Sequence, residues 1–211
     1  MKHDFWHQRW SEGRIGFHQA DFNPYLKKYW QLLSLAGDDR VFVPLCGKSK
    51  DMLWLREQGH EVLGVELNPL ACEAFFTENG AEPECSQKQG FVVRSVDGVQ
   101  LLCGDFFSLN AEDLRDVSAV YDRAALIALP PEMRVQYVEC LTQMLPKGVQ
   151  ILLITLEFEG EGGPPFSVQG SEVERLFGAA FEIECLERTQ PDDPRDVGRL
   201  EVTWLLKDKR A

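Results

Sequence analysis

Arg40-Val41-Phe42-Val43-Pro44-Leu45-Cys46-Gly47-Lys48-Ser49-Lys50-Asp51 and, after one helical stretch, Glu61-Val62-Leu63-Gly64-Val65-Glu66-Leu67-Asn68 decide how this chain folds. After one charged residue each segment becomes an apolar run, and it ends where a glycine, an acid or an amide takes over. Arg40–Leu45 and Glu61–Glu66 therefore read as strands. Between them Ser49–Gln58 reads as a helix, with Ser49 as its N-cap and Gly59 as its stop. Strands that are apolar almost throughout are covered on both faces, and a strand–helix–strand unit of this kind makes a parallel pair.

The same alternation continues outward. Pro69–Asn79 has Pro in its first turn and Gly80 at its end, the signature of a second helix. Ala119–Asp122 and Val149–Leu156 are further strands. The helix Pro131–Leu145 precedes the latter, with Val135, Val138, Leu141, Met144 and Leu145 as its apolar stripe. Phe91–Val96 and Val99–Cys103 flank Asp97-Gly98, a strong two-residue hairpin signal. Phe181–Glu187 and Leu200–Leu206 form a second hairpin around a loop rich in Pro and Asp. Asn23–Leu35 reads as a capped helix behind an aromatic segment, Phe5 to Phe22. Residues 1–211 are expected to form one domain, with 1–36 as an aromatic lid and helix.

Composition narrows the partners. Acids outnumber bases 34 to 22, a net charge of −12. Phosphate backbones are held by clustered Lys and Arg, so this balance disfavours nucleic acid and favours a small molecule. No stretch approaches the roughly 20 apolar residues of a membrane span, and the N-terminus lacks a signal peptide's apolar run, so the cytoplasm is expected. The six cysteines form no C-x-x-C and no zinc-finger spacing, and are read as reduced thiols with no metal. His3 and His7 stand four apart, which could suit a metal but more commonly marks a solvated helix face.

The chemistry concentrates at strand ends. Gly47 lets backbone approach a ligand in the turn after the first strand, although one glycine is neither G-x-G-x-x-G nor a P-loop. Glu66 ends the second strand nineteen positions later. An acid about 20 residues past such a turn accepts hydrogen bonds from both ribose hydroxyls, and the pair makes a nucleoside site. Asp105-Phe106 after the hairpin offers a polar group for the edge of an adenine and an apolar one for its face, unless Asp105 instead caps a helix starting near Ala111. Arg123 ends the strand containing Tyr121-Asp122, where open α/β sheets place their ligand crevice. A salt bridge with Asp122 or another acid is its plainer explanation.

Trp6-x-x-x-Trp10, Gly16-Phe17-His18-Gln19, Val43-Pro44-Leu45-Cys46-Gly47-Lys48, Gly64-Val65-Glu66, Tyr121-Asp122-Arg123-Ala124-Ala125-Leu126, Gly163-Pro164-Pro165-Phe166 and Glu172-Val173-Glu174-Arg175-Leu176-Phe177-Gly178 together resemble the thiopurine S-methyltransferase family, in order and across essentially the whole chain. The resemblance implies a Rossmann-like class I methyltransferase fold. That fold is a seven-stranded, mostly parallel sheet with one antiparallel strand in a C-terminal hairpin, and helices on both faces. It implies S-adenosyl-L-methionine as methyl donor, contacted by Trp10, Leu45, Glu66 and Arg123, with Asp105 and Phe106 near the adenine. Phe17 would face the acceptor, and Arg123 would serve both ligands as a candidate stabiliser of the acceptor thiolate. The enzyme would be a cytoplasmic monomer. Vertebrate members carry Trp-Asp-Arg-Gly where this chain has Tyr121-Asp122-Arg123-Ala124. The family's second acceptor arginine falls at Arg195, or is absent.

Methyl transfer from a sulfonium needs alignment and exclusion of water more than a strong base. The expected reaction is S-methylation of thiopurines or other aromatic and heterocyclic thiols. Its nearest rival is methylation of inorganic or small sulfur, selenium or tellurium acceptors. More distant are a nucleotide-dependent oxidoreductase and an inert S-adenosylmethionine-binding module.

Overall fold

The structure, a computed structural model, describes residues 3–160, 162–191 and 197–210. In chain order its first half runs α1 (His3–Ser11), α2 (Pro24–Tyr29), β1 (Arg40–Val43), α3 (Asp51–Glu57), β2 (Glu61–Glu66), α4 (Pro69–Glu78), β3 (Glu84–Lys88), β4 (Phe91–Val96) and β5 (Val99–Cys103). The second half runs β6 (Val117–Arg123), α5 (Ala125–Ala128), α6 (Pro131–Met144), β7 (Gln150–Glu157), α7 (Gly170–Phe177), β8 (Phe181–Thr189) and β9 (Leu200–Asp208). All strands join one sheet in the order β3-β4-β5-β2-β1-β6-β7-β9-β8. The central β5, β2, β1, β6 and β7 are mutually parallel, while β4 and β9 run against their neighbours.

Strand alternation builds the two cores. Phe42, Leu63, Ile151 and Leu153 point to the face covered by Tyr137, Val138 and Leu141 of α6 and Val173 and Phe177 of α7. Their neighbours Val41, Val62, Leu152 and Ile154 point to the other face, under Leu26, Met52, Leu55, Phe75 and Phe76 of the N-terminal helices. A period of two thus fills both faces of each parallel strand, which is why their middle positions are almost all apolar and the charged residues gather at the ends.

The sheet corrects the expected strand count: among the described residues it has nine strands, not seven, and two of them run antiparallel rather than one. Strand β3 escaped notice because Glu-Cys-Ser-Gln-Lys is exposed along its whole length and pairs only with β4, so no apolar periodicity marks it. The helix expected over Asn23–Leu35 stops at Tyr29 and tightens into a 3₁₀ turn at Trp30–Leu32. Asn23 does cap it, accepting from the N–H groups of Tyr25 and Leu26. Lys50, not Ser49, occupies the cap of α3, and no helix starts near Ala111. On α6 the buried stripe includes Arg134 and Tyr137, while Val135 is exposed.

Gly64 lies mid-strand because a side chain has no room there. A Cβ would stand 2.5 Å from Leu101 Cδ2 and 2.8 Å from Cys46 Sγ. Gly64→Ala is expected to lower stability by about 1–3 kcal/mol through overpacking, read as a lower urea midpoint with unchanged slope.

Candidate active site

The carboxyl ends of β1, β2 and β5 converge on one residue. Glu66 Oε2 accepts the N–H of Gly47 at 2.9 Å, Oε1 accepts that of Asn68 at 2.7 Å, and the Glu66 carbonyl accepts that of Gly104 at 2.9 Å. Burial raises the Glu66 carboxyl to about 7, against the N–H groups of Asn68, Gly47 and Leu67, which pull it down. Gly47 has φ +55°, and Leu45 reaches φ +46° without being glycine, a conformation in which side chains are strained.

Above these turns lies a cleft whose empty space, counted out to its mouth, is about 810 Å³. Leu45, Gly47, Glu66, Asp105, Phe106 and Tyr137 form its floor and walls, and Trp6, Trp10 and Phe17 its roof. Phe106 is buried against Tyr137, ring centroids 4.9 Å apart. Asp105 caps a 3₁₀ turn, Phe106–Ser108, by accepting the N–H of Phe107, instead of the helix considered near Ala111. Trp10 packs directly over Gly47, where a Cβ would stand 3.3 Å from its ring. Phe17 meets Trp6 and Trp10 edge-on at 5.9 and 5.7 Å.

His3 is exposed, as a solvated helix face requires, and His7 is half-buried, yet both make contacts with the cleft's rim. His3 Nε2 stands 3.4 Å from Asp105 Oδ2, and His7 Nδ1 lies 3.1 Å from Asn68 Nδ2. The Asn68 side-chain oxygen already accepts the N–H of Leu70, so its amide donates to His7. Helix α1, which has no buried residue, is thereby fastened to the ends of β2 and β5.

A second cleft adjoins the first, with Phe17, Trp6 and Ala128 lining both. Arg123 belongs to this one and is absent from the first cleft's lining, apart from the other donor-side residues that the sequence grouped with it. Its Nε donates to Asp51 Oδ2 at 2.9 Å and its Nη2 to Ser49 Oγ at 3.2 Å. The salt bridge is therefore to Asp51; Asp122 instead accepts the hydroxyl of Tyr137 and the N–H of Leu126. Burial works against the Arg123 charge, but Asp51, Tyr121 and Glu201 outweigh it and hold its pKa above the ordinary value. Ala124, next in the chain, has φ +79°.

Trp10, Leu45, Glu66, Asp105, Phe106 and Phe17 thus come together around one cleft. Asp51 was legible only as the last residue of the quoted loop, and nothing local marks it as a partner of Arg123. Tyr137, which lines the first cleft, carried no sequence signal of its own, and His18 of the second was marked only as part of Gly16-Phe17-His18-Gln19. Arg195 lies outside the described residues. Among those described, no three His, Cys, Asp or Glu side chains gather as a metal site, and the six cysteines are free. Among the described residues no helix is long and apolar enough to cross a membrane.

Solved structures share this architecture. A methyltransferase from Anabaena variabilis described as S-adenosylmethionine-dependent superposes with TM-score 0.67 at 15% identity, over 98% of this chain and 95% of its own. The 1,6-didemethyltoxoflavin-N1-methyltransferase of Burkholderia thailandensis, solved with its substrate and S-adenosylhomocysteine, does so with TM-score 0.64 at 14% identity, over 98% and 86%. The fold is that of the class I S-adenosylmethionine-dependent methyltransferases. The family model for thiopurine S-methyltransferase matches residues 1–207. A thiopurine S-methyltransferase from Nitrosospira multiformis is 53% identical over the full length of both chains, and one from Pseudomonas putida is 50% identical over 93% of each. This chain belongs to the thiopurine S-methyltransferase family and is an S-adenosylmethionine-dependent methyltransferase.

Glu66 makes the site sensitive to pH in two opposite ways. Its folded value, about 7, exceeds the ordinary 4.5, so the empty native protein keeps a proton that the unfolded chain has lost. Its contribution to stability is therefore greatest below pH 4.5 and declines as pH rises towards 7. A ribose diol held by Glu66 would be accepted best by the ionised form. Affinity for S-adenosylhomocysteine is thus expected to tighten about tenfold from pH 6 to pH 8 by calorimetry. Glu66→Gln should flatten that profile, and Glu66→Ala should raise Kd by about one to two decades.

Proposed function

We propose that the enzyme methylates the sulfur of aromatic or heterocyclic thiols, thiopurines among them, with the donor in the first cleft and the acceptor in the second. What carries this reading is the meeting of the two clefts at Phe17, with a hydrogen-bonded carboxylate on one side and a guanidinium on the other. The residues fit the donor. Glu66 presents a buried carboxylate for a diol, Gly47 gives close approach, and Asp105 with Phe106 suits an adenine's edge and face. The second cleft has Phe17, Phe22, Tyr25, Ile154 and Leu156 among its walls, which suits a flat ring better than a bare chalcogen ion.

S-adenosylmethionine supplies a methyl group on a sulfonium: the acceptor sulfur bonds to that carbon, and the electron pair of the broken bond stays on the donor sulfur. The protein's part is to align and to dry the site. Trp6, Trp10 and Phe17 close over it as a lid, part of an N-terminal lid and helix spanning residues 1–36. Arg123 favours the anionic acceptor, since a cation within about 4–6 Å lowers a neighbouring thiol's pKa. The proton so released passes to solvent. We further place the enzyme in the cytoplasm, a reading its free cysteines support, and take it to act as a monomer.

Arg123→Ala tests the assignment. Removing it leaves Asp51 buried with the Asn23 N–H and the Tyr121 hydroxyl as remaining donors, so a stability loss of up to about 3–5 kcal/mol is expected in any case. The informative measurement is a pH profile of kcat/KM at a temperature where the variant is folded. If Arg123 favours the thiolate, the defect is largest below the acceptor's own pKa and shrinks above it. Lys should recover only part, lacking the planar fork. A defect of equal size at every pH would remove Arg123 from this role.

A further inference from the structure

Asp51 opens α3 beside the second cleft, 1% exposed. Its carboxylate takes three donors from separate parts of the chain. Oδ1 accepts the backbone N–H of Asn23 at 2.8 Å, and Oδ2 accepts the Tyr121 hydroxyl at 3.0 Å and Arg123 Nε at 2.9 Å. Ser49 Oγ sits between the two ends of the ion pair, accepting from Arg123 Nη2 at 3.2 Å and from the Asp51 N–H at 3.3 Å. Asn23 is wholly buried and caps α2. The residues immediately before it, Phe17 to Phe22, line the second cleft with Arg123.

We propose that Asp51 is a positioning residue for the methyl acceptor. It ties the Arg123 guanidinium and the anchored end of the aromatic segment to one carboxylate, so that Arg123's approach to the acceptor and the seating of residues 16–22 are set together. The proposal rests on the reading of the second cleft as the acceptor side.

Three considerations lead here. A buried ion pair is a poor device for stability alone, because desolvating two ions consumes most of what their attraction returns. This one has its lone pairs met by donors from different elements, which fixes geometry more than it adds energy. The bond uses Arg123 Nε, which fixes the guanidinium plane near the chain and defines where its far edge points. And the Tyr121 hydroxyl remains a donor: burial raises its pKa well above the ordinary value, and Asp51 raises it further.

A double-mutant cycle decides the matter, with thiophenol as acceptor. Asp51→Asn keeps the shape and one acceptor oxygen but loses the charge facing Arg123. It is expected to lower kcat/KM by about ten- to a hundredfold, the worth of one charge-assisted hydrogen bond. Binding of S-adenosylhomocysteine should stay within about twofold of wild type, since no donor-side residue is touched. In Asp51→Asn/Arg123→Ala the two losses should not multiply; the double variant should match Arg123→Ala alone within about twofold. Hydrogen exchange should also quicken across residues 16–26 in Arg123→Ala, although its hydrogen bonds run to Asp51 and Ser49. Multiplying losses, a parallel collapse of donor affinity, or wild-type exchange at 16–26 in Arg123→Ala would each overturn the proposal. If Asp51→Asn does not fold, Ser49→Ala enters the same cycle, with a smaller loss that again should not multiply. Should Arg123→Ala itself leave kcat/KM unchanged, the acceptor reading fails and this one with it. An impaired Arg123→Ala with multiplying Asp51→Asn losses overturns this proposal only.

Discussion

Glu66 ties together the turns that floor the first cleft, adding side-chain bonds to the strand pairing that sets them side by side. In a parallel sheet each strand-to-helix turn is local and could relax separately. Glu66 sits at the end of β2 and accepts N–H groups from the turn after β1, from its own turn, and from the turn after β5. Burying a carboxylate is costly unless its oxygens are hydrogen-bonded, and here backbone donors meet both. They do not compensate fully, which is why its pKa stays raised. A carboxylate only partly satisfied by its own protein is well placed to accept two further hydroxyl groups.

Around this point the backbone is held in costly shapes. Leu45 beside the donor loop and Ala124 behind Arg123 both occupy the left-handed region, at roughly 1–2 kcal/mol each for a residue with a Cβ. Each adjoins a residue whose direction matters to a cleft, and each is kept in place by what surrounds it. The N–H of Cys46 donates to the Val65 carbonyl behind Leu45, and α5 follows at once after Ala124. The scaffold is rigid where the ligand groups are aimed.

The roof follows a different logic. Helix α1 has no buried residue and is held by edge-on aromatic contacts and two histidine contacts. Few buried contacts mean a low free energy of local opening, which suits the lid role proposed for this segment. Its far end is fixed, through Asn23, to a fully buried carboxylate. The segment has few buried contacts over the first cleft and is anchored beside the second.

How much of this could be read from the chain follows the range of each interaction. Alternating apolar runs, Pro-initiated helices and Asp97-Gly98 are signals between near neighbours. They placed the parallel strands, both hairpins and the Gly47–Glu66 pair within a residue or two of where they lie. Strand β3 had no such signal, because an exposed edge strand exists only by its pairing with β4. The separation of Arg123 from the donor-side residues and its pairing with Asp51, 72 positions away, had none either. Nor did the seating of His3 on Asp105 or the hub linking Asn23, Asp51 and Tyr121. The sequence by itself determined the order of elements and the residue types at strand ends, since burial on two faces writes itself into every strand as composition. Only the tertiary structure decided which charges face each other and which cleft each side chain enters, because a buried ion satisfies its desolvation with whatever partner the packing of distant elements brings within about 3 Å.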